Sequence, residues 1–323
     1  MKAKVFLTRK LPEEAIAYLQ EKVDLEMNPH DRVLSREELA AGIRGKDALL
    51  CLLTDQIDAE LMDLNPGLQV ISNYAVGFNN IDVAAATQRG IPVTNTPGVL
   101  TETSADLAFA LLISAARRIV EADEFVRKGQ WQGWGPMQFL GTDVFGAKLG
   151  IVGLGRIGKA LARRARGFDM DIYYWNRTRL SLDEEKKLGL QYCTLAALLS
   201  QVDYVSLHLA YHPATHHFIS VEELAMMKPS AFLINTARGA IVDEAALVSA
   251  LAQRQIAGAG LDVFEREPQV SPGLFQMKNV VLLPHLGSAT HRTRTRMAKM
   301  AVDNLLAVLE GKRPDYLVNE VSI

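Results

Sequence analysis

Three segments of this chain run from an apolar stretch into one polar residue of catalytic type. "FLINTARG" ends in Arg238, "GLDVFEREP" carries Glu267 before Pro268, and "VVLLPHLGS" carries His285. An arginine, a glutamate and a histidine together suit hydride transfer to a carbonyl. As hydride reaches the carbonyl carbon the oxygen needs a proton, and an imidazole titrating near neutrality supplies it. A carboxylate on the far ring nitrogen orients the imidazole and favours its protonated form. A guanidinium grips a substrate carboxylate in bidentate fashion and polarises the adjacent carbonyl. Singly, each residue has a plainer reading: His285 after Pro284 as a capped turn, Arg238-Gly239 as a surface turn. Ligands of open α/β sheets sit beyond the carboxyl ends of the strands, so the three are expected to face one crevice.

A second motif suits a dinucleotide. In "KLGIVGLGRIGKALARRAR" an apolar strand runs into Gly153, Gly155 and Gly158 at the G-x-G-x-x-G spacing, and a helix pattern leaves it. Gly153 permits the tight turn, Gly155 lets backbone approach the pyrophosphate, and Gly158 allows close helix–strand packing. The helix N-terminus adds N–H groups and positive partial charge. The plainer reading is a glycine-rich structural turn. An acid that binds the ribose hydroxyls is expected about 20 residues on. Asn176 stands there instead, at the end of "DIYYWN", followed by Arg177, Thr178 and Arg179. Asparagine keeps hydrogen bonding and drops the repulsion of a 2′-phosphate. The arginines supply cations and Thr178 a hydroxyl donor. The expectation is NADP(H) in preference to NAD(H). The alternative is a solvated basic turn, with NAD(H) bound through Asn176.

The elements that would position these residues are short apolar runs alternating with amphipathic stretches. Examples are "AKVFLT", "DALLCLL", "LQVISNYAV", "DYVSLHLA", "AFLINTA" and "NVVLLPH", separated by helix-like pieces such as "PEEAIAYLQEKV". That alternation reads as α/β with parallel sheets. About 100 residues of it precede Gly153, which places a first lobe ahead of the nucleotide domain. "NTPGVLTETSAD" has turn chemistry at Pro97-Gly98, then a helix start near Thr103 with Asp106 three residues on. The following helix is apolar on nearly every face up to Arg117, which predicts burial in a core or against a second subunit. The expected architecture is two doubly wound, Rossmann-like domains with an interdomain cleft, the first lobe built from both chain ends.

Size and composition set limits. A chain of 323 residues exceeds one ordinary core. A net charge of −2 gives no nucleic-acid footprint. Two distant cysteines, Cys51 and Cys193, form no CxxC and fit a reducing, cytoplasmic setting. The start "MKAKVFLTRKLPEEAI" does not read as a signal peptide, and "LAFALLISAA" is too short to span a bilayer. A metal reading of "HLAYHPATHH" is not favoured: Pro213 and the preceding strand break any helical spacing of His208 and His212, and neither cysteine nor acid lies nearby.

The ordered blocks "GIVGLGRIG", "NTARGAIVDEAALVSAL", "GAGLDVFEREP" and "LLPHLGSAT" resemble the D-isomer-specific 2-hydroxyacid dehydrogenase family over essentially the whole chain. Within it "YAVGFNNIDV", "QWQGW" and "HLGSATHRTR" look most like glyoxylate/hydroxypyruvate reductases. The resemblance implies that Arg238 binds the substrate carboxylate, Glu267 pairs with the imidazole and His285 is the acid/base. It implies main-chain substrate contacts at Val76 and Gly77. Implied cofactor contacts are Thr103, Gly155, Arg156, Ile157, Thr236, Ala237, Asp262, Gly287 and Ser288, the last also on the substrate side. It places a dinucleotide-binding domain at 99–286 and a substrate-binding domain at 1–98 with 287–323. It implies a homodimer in which Trp134 reaches the partner's site; the plainer reading is that Trp131 and Trp134 are interface anchors. Ala210 stands where the family usually has proline after "HL".

The resulting expectation is reduction of a small 2-oxo acid, glyoxylate or hydroxypyruvate, to the D-2-hydroxy acid. Alternatives are a D-lactate-type or phosphite-oxidising relative, and a phosphoglycerate dehydrogenase, disfavoured because the chain ends at "RPDYLVNEVSI" without a regulatory tail. A non-catalytic NAD(H)-sensing binding protein is the alternative of another class.

Overall fold

Most strands of this chain have no polar face, because helices cover both sides of each sheet. The computed structural model describes residues 2–322. The chain divides into two compact units, one running to Leu100 and resuming at Ser288, the other Thr101–Gly287.

The first unit holds β1 (Lys4–Leu7), β2 (Asp24–Met27), β3 (Ala48–Cys51), β4 (Val70–Asn73) and β5 (Val93–Thr94). All pair in parallel, in the order β2-β1-β3-β4-β5. β3 and β4 are buried throughout, whereas the edge strand β2 alternates between exposed and half-buried residues. Helices Glu13–Lys22 and His291–Leu309 cover one face, burying Leu19, Ala298, Val302 and Leu305 against Val5, Leu7 and Leu50. Helices Arg36–Ile43, Ala59–Asp63 and Val83–Gln88 cover the other. The final helix opens at His291, where Thr290 Oγ1 accepts the Thr293 N–H.

The second unit holds β6 (Lys148–Val152), β7 (Asp171–Trp175), β8 (Leu190–Tyr192), β9 (Tyr204–Leu207), β10 (Phe232–Asn235), β11 (Gly258–Leu261) and β12 (Val280–Leu282). These are again all parallel, in the order β12-β11-β10-β9-β6-β7-β8. The direction of winding reverses between β6 and β9, the position at which doubly wound sheets bind ligands. Every strand points the same way, so residues just past the ends of different strands collect along one edge.

The apolar helix expected after Pro97-Gly98 spans Thr101–Ala116 and opens two residues before Thr103. Gly98, with φ +83°, turns the chain into helical conformation sooner than the Thr103–Asp106 spacing suggests, so Thr103 lies in the first turn. Its apolar face accounts for its burial: Ala105, Ala108, Leu111, Leu112 and Ala116 pack on helix Arg156–Arg166 and on β10 to β12. The opposite face of the sheet is covered by helices Leu195–Gln201, Val221–Met226 and Glu244–Ala252.

Candidate active site

The glycine motif sits where β6 passes into helix Arg156–Arg166. Gly153 has φ +95°, and a Cβ there would lie 2.8 Å from the His208 carbonyl carbon. That close approach is fixed by the His208 N–H donating to the Val152 carbonyl at 2.8 Å. A Cβ on Gly158 would lie 2.5 Å from the Gly153 carbonyl oxygen, so helix and strand touch through this residue. A Cβ on Gly155, by contrast, would meet nothing within 4 Å. Two glycines thus serve packing, and the middle one opens on free space at a helix N-terminus, with Arg156 and Ile157 as the first helical residues. This is the arrangement a pyrophosphate needs.

Asn176 follows β7, and its side-chain N–H donates to the Thr178 carbonyl at 2.9 Å. Arg177 is exposed and forms no ion pair among the described residues. Arg179 is not the second cation that the sequence suggests. Its Nε and Nη2 donate to the two oxygens of Glu185, both at 2.7 Å. The spacing of "RTR" shows two arginines but not the carboxylate, which comes from the next helix.

The charged set gathers after β10, β11 and β12. Glu267 Oε2 lies 2.7 Å from His285 Nδ1, and its Oε1 accepts the Phe264 N–H at 3.1 Å. Burial pushes the Glu267 carboxyl up, but the hydrogen bond and charge of His285 outweigh it and bring the group below its ordinary value. Arg238 is buried enough for desolvation to lower its affinity for a proton, an effect the Glu267 charge opposes. Its Nη1 donates to the Ala237 carbonyl at 2.7 Å. Asn235 shapes this turn: its Oδ1 accepts the Ala237 N–H and its Nδ2 donates to the Arg238 carbonyl, both at 3.0 Å. Thr236 Oγ1 is buried and has no hydrogen-bond partner among the described residues. Gly239 is pressed so closely on the loop after β11 that a Cβ would lie 1.8 Å from the Phe264 carbonyl carbon.

Asp262 has a structural task that its sequence position does not reveal. It is fully buried, and its two oxygens accept the N–H groups of Leu286 at 2.6 Å and Gly287 at 2.8 Å. Its carbonyl accepts the His285 N–H at 2.9 Å. These bonds hold His285 at φ +56°, a left-handed conformation that costs a non-glycine residue energy unless its surroundings impose it. The Gly287 carbonyl in turn accepts from Ser104 Oγ at 3.0 Å. Thr103 lies one residue earlier on the same helix.

Residues 109–287 match the family model described as the NAD binding domain of D-isomer specific 2-hydroxyacid dehydrogenases. A glyoxylate reductase of Thermococcus litoralis is 51% identical over 99% of this chain and 98% of its own. The chain belongs to the D-isomer specific 2-hydroxyacid dehydrogenases. A crystal structure of a Thermus thermophilus protein aligns with a TM-score of 0.91 at 46% identity, covering 98% of this chain and all of the other. A Sinorhizobium meliloti NADPH-dependent glyoxylate/hydroxypyruvate reductase, solved with NADP and malonate, aligns with a TM-score of 0.87 at 34% identity over 98% and 97% of the two chains.

As a 2-hydroxyacid dehydrogenase the chain uses a nicotinamide cofactor. The residues present fit one: open space at Gly155, a helix N-terminus beside it, and the unpartnered Thr236 hydroxyl at the end of β10. Val76, Gly77 and Ser288 belong to the other unit of the dehydrogenase. There the Ala75 carbonyl accepts the Thr96 N–H and the Val76 carbonyl accepts from Asn95 Nδ2, both at 2.8 Å. In a trans peptide the next N–H points the opposite way, so the N–H groups of Val76 and Gly77 both turn away from Asn95 and Thr96. Asn73 Nδ2 holds the Gly77 carbonyl at 2.9 Å. Trp134 stands in the second unit, 84% exposed, beyond helix Ile119–Arg127. Among the described residues no helix is long and apolar enough to cross a membrane.

Proposed function

We propose that this dehydrogenase reduces glyoxylate or hydroxypyruvate to the D-2-hydroxy acid, with NADPH preferred to NADH. The observation that carries the reading is the 2.7 Å contact between Glu267 and His285 Nδ1, on the strand edge that also presents Arg238. The cofactor supplies the hydride. With Nδ1 held by a carboxylate, His285 Nε2 is the atom that gives its proton to the substrate oxygen, and Glu267 fixes the orientation of the ring. Arg238 binds the substrate carboxylate, and the N–H groups of Val76 and Gly77 add main-chain donors. Ser288 lines the substrate side.

The dinucleotide-binding role falls to residues 99–286 and substrate binding to 1–98 with 287–323. Gly153, Gly155, Arg156, Ile157 and Gly158 form the phosphate grip, while Thr103, Thr236, Ala237, Asp262 and Gly287 border the nicotinamide side. The NADPH preference rests on Asn176, Arg177 and Thr178: no acid repels a 2′-phosphate, and Arg177 is left uncommitted. The enzyme works as a cytosolic homodimer with Trp134 in the partner's site. That part of the reading is supported by the exposed side chains of Val120, Val126, Trp131, Trp134 and Met137.

The test is steady-state kinetics with both cofactors and both oxo acids. NADPH should give the higher kcat/KM, and His285→Ala should lower kcat at least ~10²-fold. Near-wild-type turnover in that variant would remove His285 from the mechanism. Absence of turnover with every oxo acid would favour a binding protein.

A further inference from the structure

The turn after β7 is anchored by an ion network that the hydride chemistry does not use. Glu185, on helix Leu182–Leu188, is a buried carboxylate. Its Oε1 accepts from the Tyr174 hydroxyl at 2.6 Å and from Arg179 Nε at 2.7 Å; its Oε2 accepts from Arg179 Nη2 at 2.7 Å. Tyr174, fully buried on β7, also accepts the Leu180 N–H at 2.9 Å. The Arg179 guanidinium lies over the Tyr192 ring of β8, 5.1 Å from its centre. Hydrogen bonds from Arg179 and Tyr174 hold the Glu185 carboxyl down to about 2, and burial opposes them.

A solvated turn has no use for such a device. Burying a carboxylate is costly unless it is fully paired, and its best-attested benefit is conformational specificity. Here the segment is closed near its start by Asn176 on the Thr178 carbonyl and fastened at its far end to Glu185 through two side chains. Arg177 lies between these fixed points, exposed and free of ion pairs among the described residues. The pairing also neutralises one of the two arginines.

We propose that Glu185 is a positioning residue for cofactor discrimination: through Arg179 and Tyr174 it fixes the turn from Asn176 to Leu180, so that Arg177 alone is presented to a ribose 2′-phosphate. The proposal rests on the reading that this turn receives the adenosine ribose. It separates two roles that the sequence "NRTR" merges, phosphate binding by Arg177 and turn fixing by Arg179.

The test compares KM and kcat for NADPH and NADH in full-length wild type, Arg177→Ala, Glu185→Gln, Arg179→Met, the Arg179→Met/Glu185→Gln double variant, and Tyr174→Phe. Thermal midpoints are recorded for each. Glu185→Gln should raise the KM for NADPH about tenfold, the lower end of what a charge-assisted hydrogen bond is worth, with kcat and the KM for NADH within about twofold. Arg179→Met should match it, and the double variant should add little, because both act through one contact. Tyr174→Phe removes a single hydroxyl from an otherwise unchanged ring, so it reports on the turn even if the Glu185 variants fold poorly. It should shift NADPH in the same direction, more weakly. Unchanged or tighter NADPH binding in Glu185→Gln, with a loss in Arg177→Ala, overturns the proposal and leaves the 2′-phosphate reading standing. Equal losses for both cofactors overturn it as well, since that is a general structural defect. Unchanged NADPH kinetics in Arg177→Ala overturns the underlying reading and the proposal together.

Discussion

In the proposed mechanism His285 donates the proton, and Glu267 holds its Nδ1 at 2.7 Å. Glu267→Gln keeps the shape and removes the charge. The expected outcome is a fall in kcat/KM for reduction of at least ~10-fold, with the thermal midpoint little changed. Wild-type kcat/KM in that variant would remove Glu267 from the mechanism. The trio itself was legible because each residue ends an apolar run, and parallel pairing brings all such ends to one edge. Asp262 enters the sequence reading only as an implied cofactor contact, and its backbone task does not show there. Its partners, Leu286 and Gly287, lie 24 and 25 residues along the chain.

At the scale of elements, the three motif glycines make separable predictions. A Cβ at Gly158 meets the Gly153 carbonyl at 2.5 Å, whereas a Cβ at Gly155 meets nothing. Gly158→Ala should therefore lower the thermal midpoint of the cofactor-free protein, by roughly 1–3 kcal/mol of stability as expected for overpacking. Gly155→Ala should leave that midpoint nearly unchanged and weaken cofactor binding, read by fluorescence titration. Equal effects of the two variants would contradict the division of roles.

The strand end at β9 adds a pH effect. Burial holds the His208 imidazole down to about 4, against an ordinary 6.5, and Ser206 Oγ lies 2.8 Å from its Nε2. The unfolded chain binds a proton below pH 6.5 and the folded chain only near 4, so stability falls as pH drops across that window and levels off below it. The loss from this residue is up to ~3 kcal/mol. Urea midpoints at pH 7 and 4.5 should fall further in wild type than in His208→Gln. A parallel loss in both proteins would remove His208 as the source. The sequence shows this residue only as one of four histidines in "HLAYHPATHH"; its burial depends on β6, the neighbouring strand.

For the whole molecule, the proposed dimer is tested at the exposed apolar side chains between Ile119 and Phe145. Val120, Val126, Trp131, Trp134, Met137 and Phe145 are each more than half exposed. Sedimentation should give a dimer at micromolar concentration, and Val120→Glu with Val126→Glu should give monomers. Trp134→Ala should leave the dimer intact and raise the KM for the oxo acid. A dimer that survives the double substitution would place the interface elsewhere.

Sequence alone determined the alternation of strand and helix, and it placed the glycine motif between a strand and a helix and the charged trio beyond the ends of apolar strands. Each is encoded by spacing within a few residues, and parallel pairing then brings the residues beyond each strand into line. Tertiary structure decided what those residues are bonded to. Whether Arg179 is a free cation depends on Glu185 of the next helix, and whether Asp262 faces ligand or backbone depends on the turn after β12. Charge and burial are settled by neighbours brought from elsewhere in the chain, and the identity of those neighbours is a property of packing that no local spacing contains.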